Sequence, residues 1–213
     1  MAAQDEKRRI VEAASKKFFE SGVSKVTIDE VAADMGMSKK TIYKYFPSKD
    51  ELLIAGVRSH MERIGKEVSG IINSPASFEK KMAAFLVVIG RQISRISSQF
   101  QSDLRKVSPQ VWNEIDTFRR EVVIAQLKQL FVQAKKEKIF RNDLNVEIFQ
   151  LMLIHATQGI VNPTVLSANS FSAVEAYKEI IKVLFAGVMT DKGKMKLHLF
   201  DSQFEQELSQ RML

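Results

Sequence analysis

The chain contains no cysteine, which excludes disulfides and thiolate metal sites and suits a reducing, cytoplasmic compartment. Its N-terminus, MAAQDEKRRI, lacks the apolar core of a secretory leader. Residues 148–174 carry no Asp, Glu, Lys or Arg, yet they contain Gln150, His155, Gln158, Asn162 and Pro163. A bilayer span needs about 20 predominantly apolar residues, so this stretch reads as a buried helix ending near Val161 and a polar loop over 162–171. Internal repeats, low-complexity tracts and alternating strand patterns are missing. So are HExxH, GxSxG and phosphate-binding glycine loops, and the three histidines, His60, His155 and His198, are scattered. Ser77-Phe-Glu-Lys80 matches an S-x-x-K pattern by letters alone, without its S-D-N and K-T-G companions. Nothing in the sequence calls for catalysis, a metal or another cofactor.

What is present is helical periodicity in a composition 45% hydrophobic and 27% charged, enough to build a sizeable core. Ile10, Ala14 and Phe18 recur every four residues, and Gly22 ends their helix. Thr27-Ile-Asp-Glu30 and Ser48-Lys-Asp-Glu51 are both capping boxes, the second opening a long helix. Further helical patterns cover Phe78–Ile96, Trp112–Lys136, Val146–Val161 and Ser172–Met189, with a short helix or turn expected within 97–109. In the tail, Phe200, Phe204, Leu208 and Met212 repeat at helical spacing. The expected fold is all-α, with about nine to ten helices: an N-terminal three-helix helix-turn-helix domain over 1–50 and a larger helical bundle over 51–213.

The net charge of +7 is spread along the chain, and residues 1–60 hold 11 Lys and Arg against 9 Asp and Glu. Between Met35 and Lys49, however, four lysines occur with no acid. This local excess falls on the second of two short helices whose turn contains Gly36, with Ala32 where the backbones approach. Val31, Met35, Met37 and Ile42 provide the apolar lock. Ser38 caps the second helix and leaves its first N–H groups available to a phosphate. Lys39, Lys40, Thr41 and Tyr43 occupy the turns that reach base edges in a helix-turn-helix, and Lys can donate to guanine O6 or N7. Tyr43, Lys44 and Lys49 read as phosphate contacts, which set register without reading sequence.

The same residues resemble the TetR family of transcriptional regulators. The likeness is strongest over Thr27–Leu53 and extends back to Ala13–Gly22. It rests on Tyr43 and Phe46 three apart, the Pro47-Ser48 break, and Lys49-Asp50-Glu51-Leu52. The resemblance implies that Thr27, Tyr43 and Lys49 hold phosphates, and that Ser38, Lys39, Lys40 and Thr41 begin the groove-facing helix. Many relatives carry glycine where this chain has Lys40, so no relative's operator carries over. Similarity to the family also implies a homodimer and a helical effector domain, hence a repressor released from paired operator half-sites by a small molecule.

The rest of the sequence fits that expectation. Segments 146–161 and 172–189 present more apolar surface than one small bundle hides, and pairing them with a second copy makes a four-helix isologous interface. Burial as monomer core is the alternative. Phe85, Ile89, Leu104, Trp112 and Phe118 are candidate linings for an apolar effector, with His155 and Gln158 as polar contacts. For His155 a satisfied core histidine is the simpler expectation. Two rival readings remain: a constitutive DNA binder without a ligand cavity, and a helical enzyme or scaffold using the bundle alone.

Overall fold

Most helices in this chain begin where a Ser, Thr or Asn side chain accepts from one of the backbone N–H groups that a helix leaves open. The computed structural model describes residues 2–195, with positions 2 and 98 described in backbone only; the expected tail helix and His198 lie outside this range. Within it run α1 (Ala2–Ser21), α2 (Ile28–Asp34), α3 (Lys39–Tyr45), α4 (Lys49–Asn73), α5 (Phe78–Arg95), α6 (Ser98–Val107) and α7 (Pro109–Phe118). A π-helical segment, Arg119–Ile124, leads directly into α8 (Ala125–Lys136). Then follow α9 (Val146–Ile160), α10 (Pro163–Ser167) and α11 (Ala173–Val188). The all-α expectation holds: among the described residues the sole β-type pairing is an isolated antiparallel bridge between Phe140 and Met189. None of the described helices is long and apolar enough to cross a membrane.

The contacts divide into two compact units. One, the head, holds Met1–Ile64 and Arg95–Thr117; the other, the body, holds Gly65–Ser94 and the chain from Phe118 onward.

The head packs α1, α2, α3, α6, α7 and the first part of α4 around Ile10, Ala14, Phe18, Val31, Ile42, Leu52 and Leu104, each at most 1% exposed. Its helices are joined by polar contacts as well. Asp103 on α6 is 5% exposed and accepts the Ser24 N–H at 2.7 Å and the Gln99 side-chain amide at 2.7 Å. Burial alone pushes this carboxyl up, but the hydrogen bonds from Ser24, Gln99 and the Val23 N–H outweigh it and hold Asp103 below its usual range. The Ser97 N–H donates to the Phe19 carbonyl at 2.9 Å, and the Phe19 ring meets Phe100 edge-on at 4.8 Å. Arg58 on α4 forms a two-pronged bond to Glu114 on α7, at 3.0 and 2.9 Å.

The body is built on five phenylalanines. Phe140 is the hub, its ring centroid 6.0 Å from Phe78, 5.5 Å from Phe131, 6.0 Å from Phe149 and 5.9 Å from Phe185. Such tilted and edge-on pairs contribute beyond their buried area, by about 0.5–1.5 kcal/mol each. The expected helix over 112–136 is helical throughout, through α7, the π segment and α8. The buried Gln150 amide donates to the Ile124 carbonyl at the end of that segment, at 3.1 Å.

Three expectations need correction. The loop expected over 162–171 contains α10, started by the Asn162 side chain accepting the Val165 N–H and by Pro163 in the first turn. Helix α9 is not covered on all sides: Ile148, Leu151 and Met152 are half exposed, and only Phe149, Gln150 and Leu153 are buried. His155 is exposed rather than a core histidine, because it lies on that uncovered part of α9.

Two glycines in the head have positive φ, Gly22 at 90° and Gly36 at 62°, but their surroundings differ. A Cβ at Gly22 would stand 2.6 Å from Gln99 Cγ and 3.0 Å from the Asp103 carboxylate, whereas at Gly36 it would meet nothing within 4 Å. Gly36→Ala is therefore expected to cost only the left-handed backbone penalty, about 1–2 kcal/mol. Gly22→Ala adds the clash and should lower the urea midpoint distinctly more. Equal midpoints for the two variants would contradict this account.

Candidate nucleic-acid interface

Thr27 starts α2 through a reciprocal cap. Its Oγ1 accepts the Glu30 N–H at 3.2 Å, while Glu30 accepts the Thr27 N–H at 2.7 Å. These bonds from Thr27, backbone first, hold the Glu30 carboxyl below its ordinary value. Helix α2 ends in a turn that requires Gly36: the Met37 N–H reaches the Ala32 carbonyl at 3.0 Å and the Gly36 N–H reaches Ala33 at 3.1 Å. This pattern is the Schellman motif, with glycine in the left-handed position. The chain is thereby turned into Ser38, whose Oγ accepts the Thr41 N–H at 3.1 Å and starts α3.

In α3 itself Ile42 alone is buried, and Phe46, which ends the helix, is 4% exposed. Lys39, Lys40, Tyr43 and Lys44 are exposed, and Thr41 is half-buried. Lys49 is half-buried at the start of α4, where Ser48 Oγ accepts the Glu51 N–H at 3.1 Å. All eight residues expected to face nucleic acid therefore belong to the head: Thr27 and Ser38 at the caps of α2 and α3, Lys39, Lys40, Thr41, Tyr43 and Lys44 on α3, and Lys49 at the start of α4. A cationic, seven-residue helix anchored by one side chain leaves its remaining surface available to the edge of a duplex.

The eight differ in what they are already doing. Lys39 donates to Asp29 at 2.8 Å and its Nζ lies 6.0 Å from the Tyr43 ring centroid; the Asp29 bond raises the Lys39 pKa. Thr27 Oγ1 donates to Glu30 at 3.0 Å, and the Ser38 and Thr41 hydroxyls bond each other at 2.8 Å. Among the described residues Lys40 and Lys44 pair with no acid, and they are the uncommitted cations of α3. Asp29 is the participant that sequence reasoning missed. It precedes Lys39 by ten residues across a turn, so no helical spacing signals the pair.

The seven expected effector contacts lie in both units. Leu104 is buried in the head, and Trp112, half-buried there, is stacked by the Arg105 guanidinium at 4.3 Å. Phe85, Ile89 and Phe118 belong to the body; Phe85 is buried, and Phe118 packs against α4 at Gly65. His155 and Gln158 lie exposed on α9. None of the seven lines the open depression of about 370 Å³ between α9 and α11, whose walls include Arg141, Asn145, Ile148, Met152, Val183 and Val188. Among the described residues no group of three His, Asp or Glu is placed to hold a metal.

Residues 10–55 match the family model for bacterial regulatory proteins of the tetR family. The chain is 27% identical over 172 residues to an HTH-type transcriptional regulator, YvaF, of Bacillus subtilis, covering 78% of this chain and 87% of that protein. A transcriptional regulator from Cytophaga hutchinsonii superposes with a TM-score of 0.66 at 22% identity, covering 86% of this chain and 98% of its own. The regulator FadR from Bacillus subtilis, solved in complex with stearoyl-CoA, gives a TM-score of 0.60 at 17% identity, covering 84% and 98%.

The Asp29–Lys39 pair generates a prediction. Asp29→Asn removes an anion beside α3 and frees a cation, so affinity for random duplex should rise. The slope of log K against log salt should steepen by about one phosphate equivalent. Fluorescence anisotropy across a salt series reads both quantities; an unchanged slope would show that Lys39 takes no part.

Proposed function

We propose that this chain, a member of the TetR family of DNA-binding transcriptional regulators through its residues 10–55, is a cytoplasmic homodimeric repressor released from its operator by a small apolar effector. The observation that carries the reading is α3: one buried anchor, Ile42, and a surface of cations of which Lys40 and Lys44 pair with no acid among the described residues. In this scheme residues 1–50 read DNA, and 51–213 bind effector and dimerise. Lys40 and Thr41 address base edges. Thr27, Tyr43, Lys44 and Lys49 hold phosphates, with Ser38 presenting the first N–H groups of the helix. Lys39 stays paired with Asp29 at the groove-facing start of the helix and becomes a phosphate contact when that acid is removed.

The dimer forms through α9 and α11. Ile148, Leu151 and Met152 on α9 and Val183 on α11 are 50–59% exposed in one chain, more than an isolated soluble helix pair ordinarily leaves uncovered. A second copy covers this face and fills the depression beside it, giving an isologous four-helix contact. Two α3 helices then address successive major grooves, about 34–36 Å apart. Helix α4 carries residues of both units, so an effector that shifts it changes this spacing. A hundredfold loss of operator affinity needs about 2.7 kcal/mol of coupling. The stearoyl-CoA bound to FadR makes long acyl compounds the first effectors to try.

Footprinting on DNA selected from random sequence should reveal two protected half-sites. Tyr43→Ala and Lys49→Ala should each weaken binding to every sequence, and Lys49→Ala, which removes a charge, should also make the salt slope shallower by about one. Lys40→Ala should instead change the selected sequence. Protection of a single half-site, or none, would sink the dimeric reading.

For the interface, Leu151→Glu combined with Val183→Glu should convert the protein to monomer in sedimentation velocity and abolish paired protection. Persistence of the dimer would place the contact elsewhere.

A further inference from the structure

Helix α3 is fastened to a cation that it does not itself carry. Phe46, which closes α3, is only 4% exposed, although Lys44, Pro47 and Ser48 around it are exposed. Over its ring stands Lys7 of α1, with Nζ 5.3 Å from the ring centroid. The preceding residue, Glu6, accepts the Tyr45 hydroxyl at 2.5 Å. Two successive residues of α1 thus meet two successive residues at the end of α3, and all four belong to the head.

The charges of this part of α1 are already sorted. Asp5 is bonded by Arg8 at 2.7 Å, and Glu6 is engaged by Tyr45. Lys7 is exposed and, among the described residues, pairs with no acid. An aromatic face attracts an ammonium through its quadrupole and carries no net charge, so it holds Lys7 without neutralising it. A side chain restrained in advance also has less rotamer freedom to lose when an anion arrives. Lys44 and Lys49 flank the same phenylalanine in sequence, two residues before it and three after it. Lys7 precedes the segment 10–55 that matches the family model, so that match assigns it nothing.

We infer that Lys7 is a further phosphate contact, which extends the nucleic-acid surface from α3 and the start of α4 onto α1. Its ligand is the phosphodiester backbone of duplex DNA, held without reading bases. Phe46 is the positioning residue: its buried ring fixes where that ammonium stands at the end of α3. The inference adds to the eight residues above and rests on the α3 interface.

The test uses the full-length protein with Lys7→Met, which keeps an apolar stem over Phe46, and Lys7→Arg, which keeps the cation. Fluorescence anisotropy on random-sequence duplex across a salt series should give Lys7→Met a slope shallower by about one, with Lys7→Arg restoring it. The sequence selected from random DNA should be the same for wild type and Lys7→Met. Replacing single phosphates of that selected duplex by uncharged methylphosphonates should weaken wild type at one position to which Lys7→Met is indifferent. That position should differ from the one to which Lys49→Ala is indifferent. Lys7→Gln supplies a second neutral side chain should Lys7→Met melt well below wild type. An unchanged slope in both neutral variants, with a shallower one in Lys49→Ala, makes Lys7 merely a cover for Phe46 and leaves the α3 interface intact. An altered selected sequence overturns the phosphate assignment. Unchanged slopes in the Lys7 variants and Lys49→Ala alike overturn both readings.

Discussion

A seven-residue helix does not hold itself together in water, where isolated helices shorter than about 12–15 residues are marginal. Helix α3 exists because Ile42 is driven into the head and Phe46 follows it at the helix end. Everything the interface presents depends on that anchoring. The buried side chain sets the rotation of the helix, and the rotation decides that Lys39, Lys40, Tyr43 and Lys44 stand outward together. The Gly36 turn fixes the approach angle, and the Ser38 cap fixes where the first free N–H groups lie. The Tyr45 hydroxyl, bonded to Glu6 on α1 at 2.5 Å, holds the far end. Chemistry that looks like a property of lysines is therefore a property of one isoleucine and its surroundings.

The two units solve the burial of polar groups differently. In the head, the buried acid Asp103 is saturated by donors from the α1–α2 turn and from its own helix, so its desolvation is offset without any cation. In the body, Gln150 and the Tyr177 hydroxyl are each matched to a backbone carbonyl, whereas among the described residues the side-chain amide of Gln92 finds no partner.

Much of this was legible in the sequence because the signals are local. Thr27 and Glu30 are three residues apart and cap the helix they were expected to cap. Gly22 and Gly36 fall where positive φ is needed, and the 3.6-residue period located each long helix. Features outside local periods were not legible. Asp103 meets Ser24 across 79 residues, and Lys39 meets Asp29 across a turn. The short α10 was present in the letters as Asn162-Pro163, a cap followed by a first-turn proline, but its polar composition read as loop. His155 was misjudged because apolar neighbours in sequence imply burial only if something covers them, and one chain leaves that side of α9 open.

The head is discontinuous in sequence, since α6 and α7 enter it after the chain has passed through α5. Synthesis proceeds from the N-terminus, and folding units complete themselves as their last segment emerges. Phe19 and Val23 must therefore wait for Phe100 and Leu104 to leave the ribosome before their pocket closes. The segment through α3 thus belongs to a unit that cannot be sealed until Leu104 has been made.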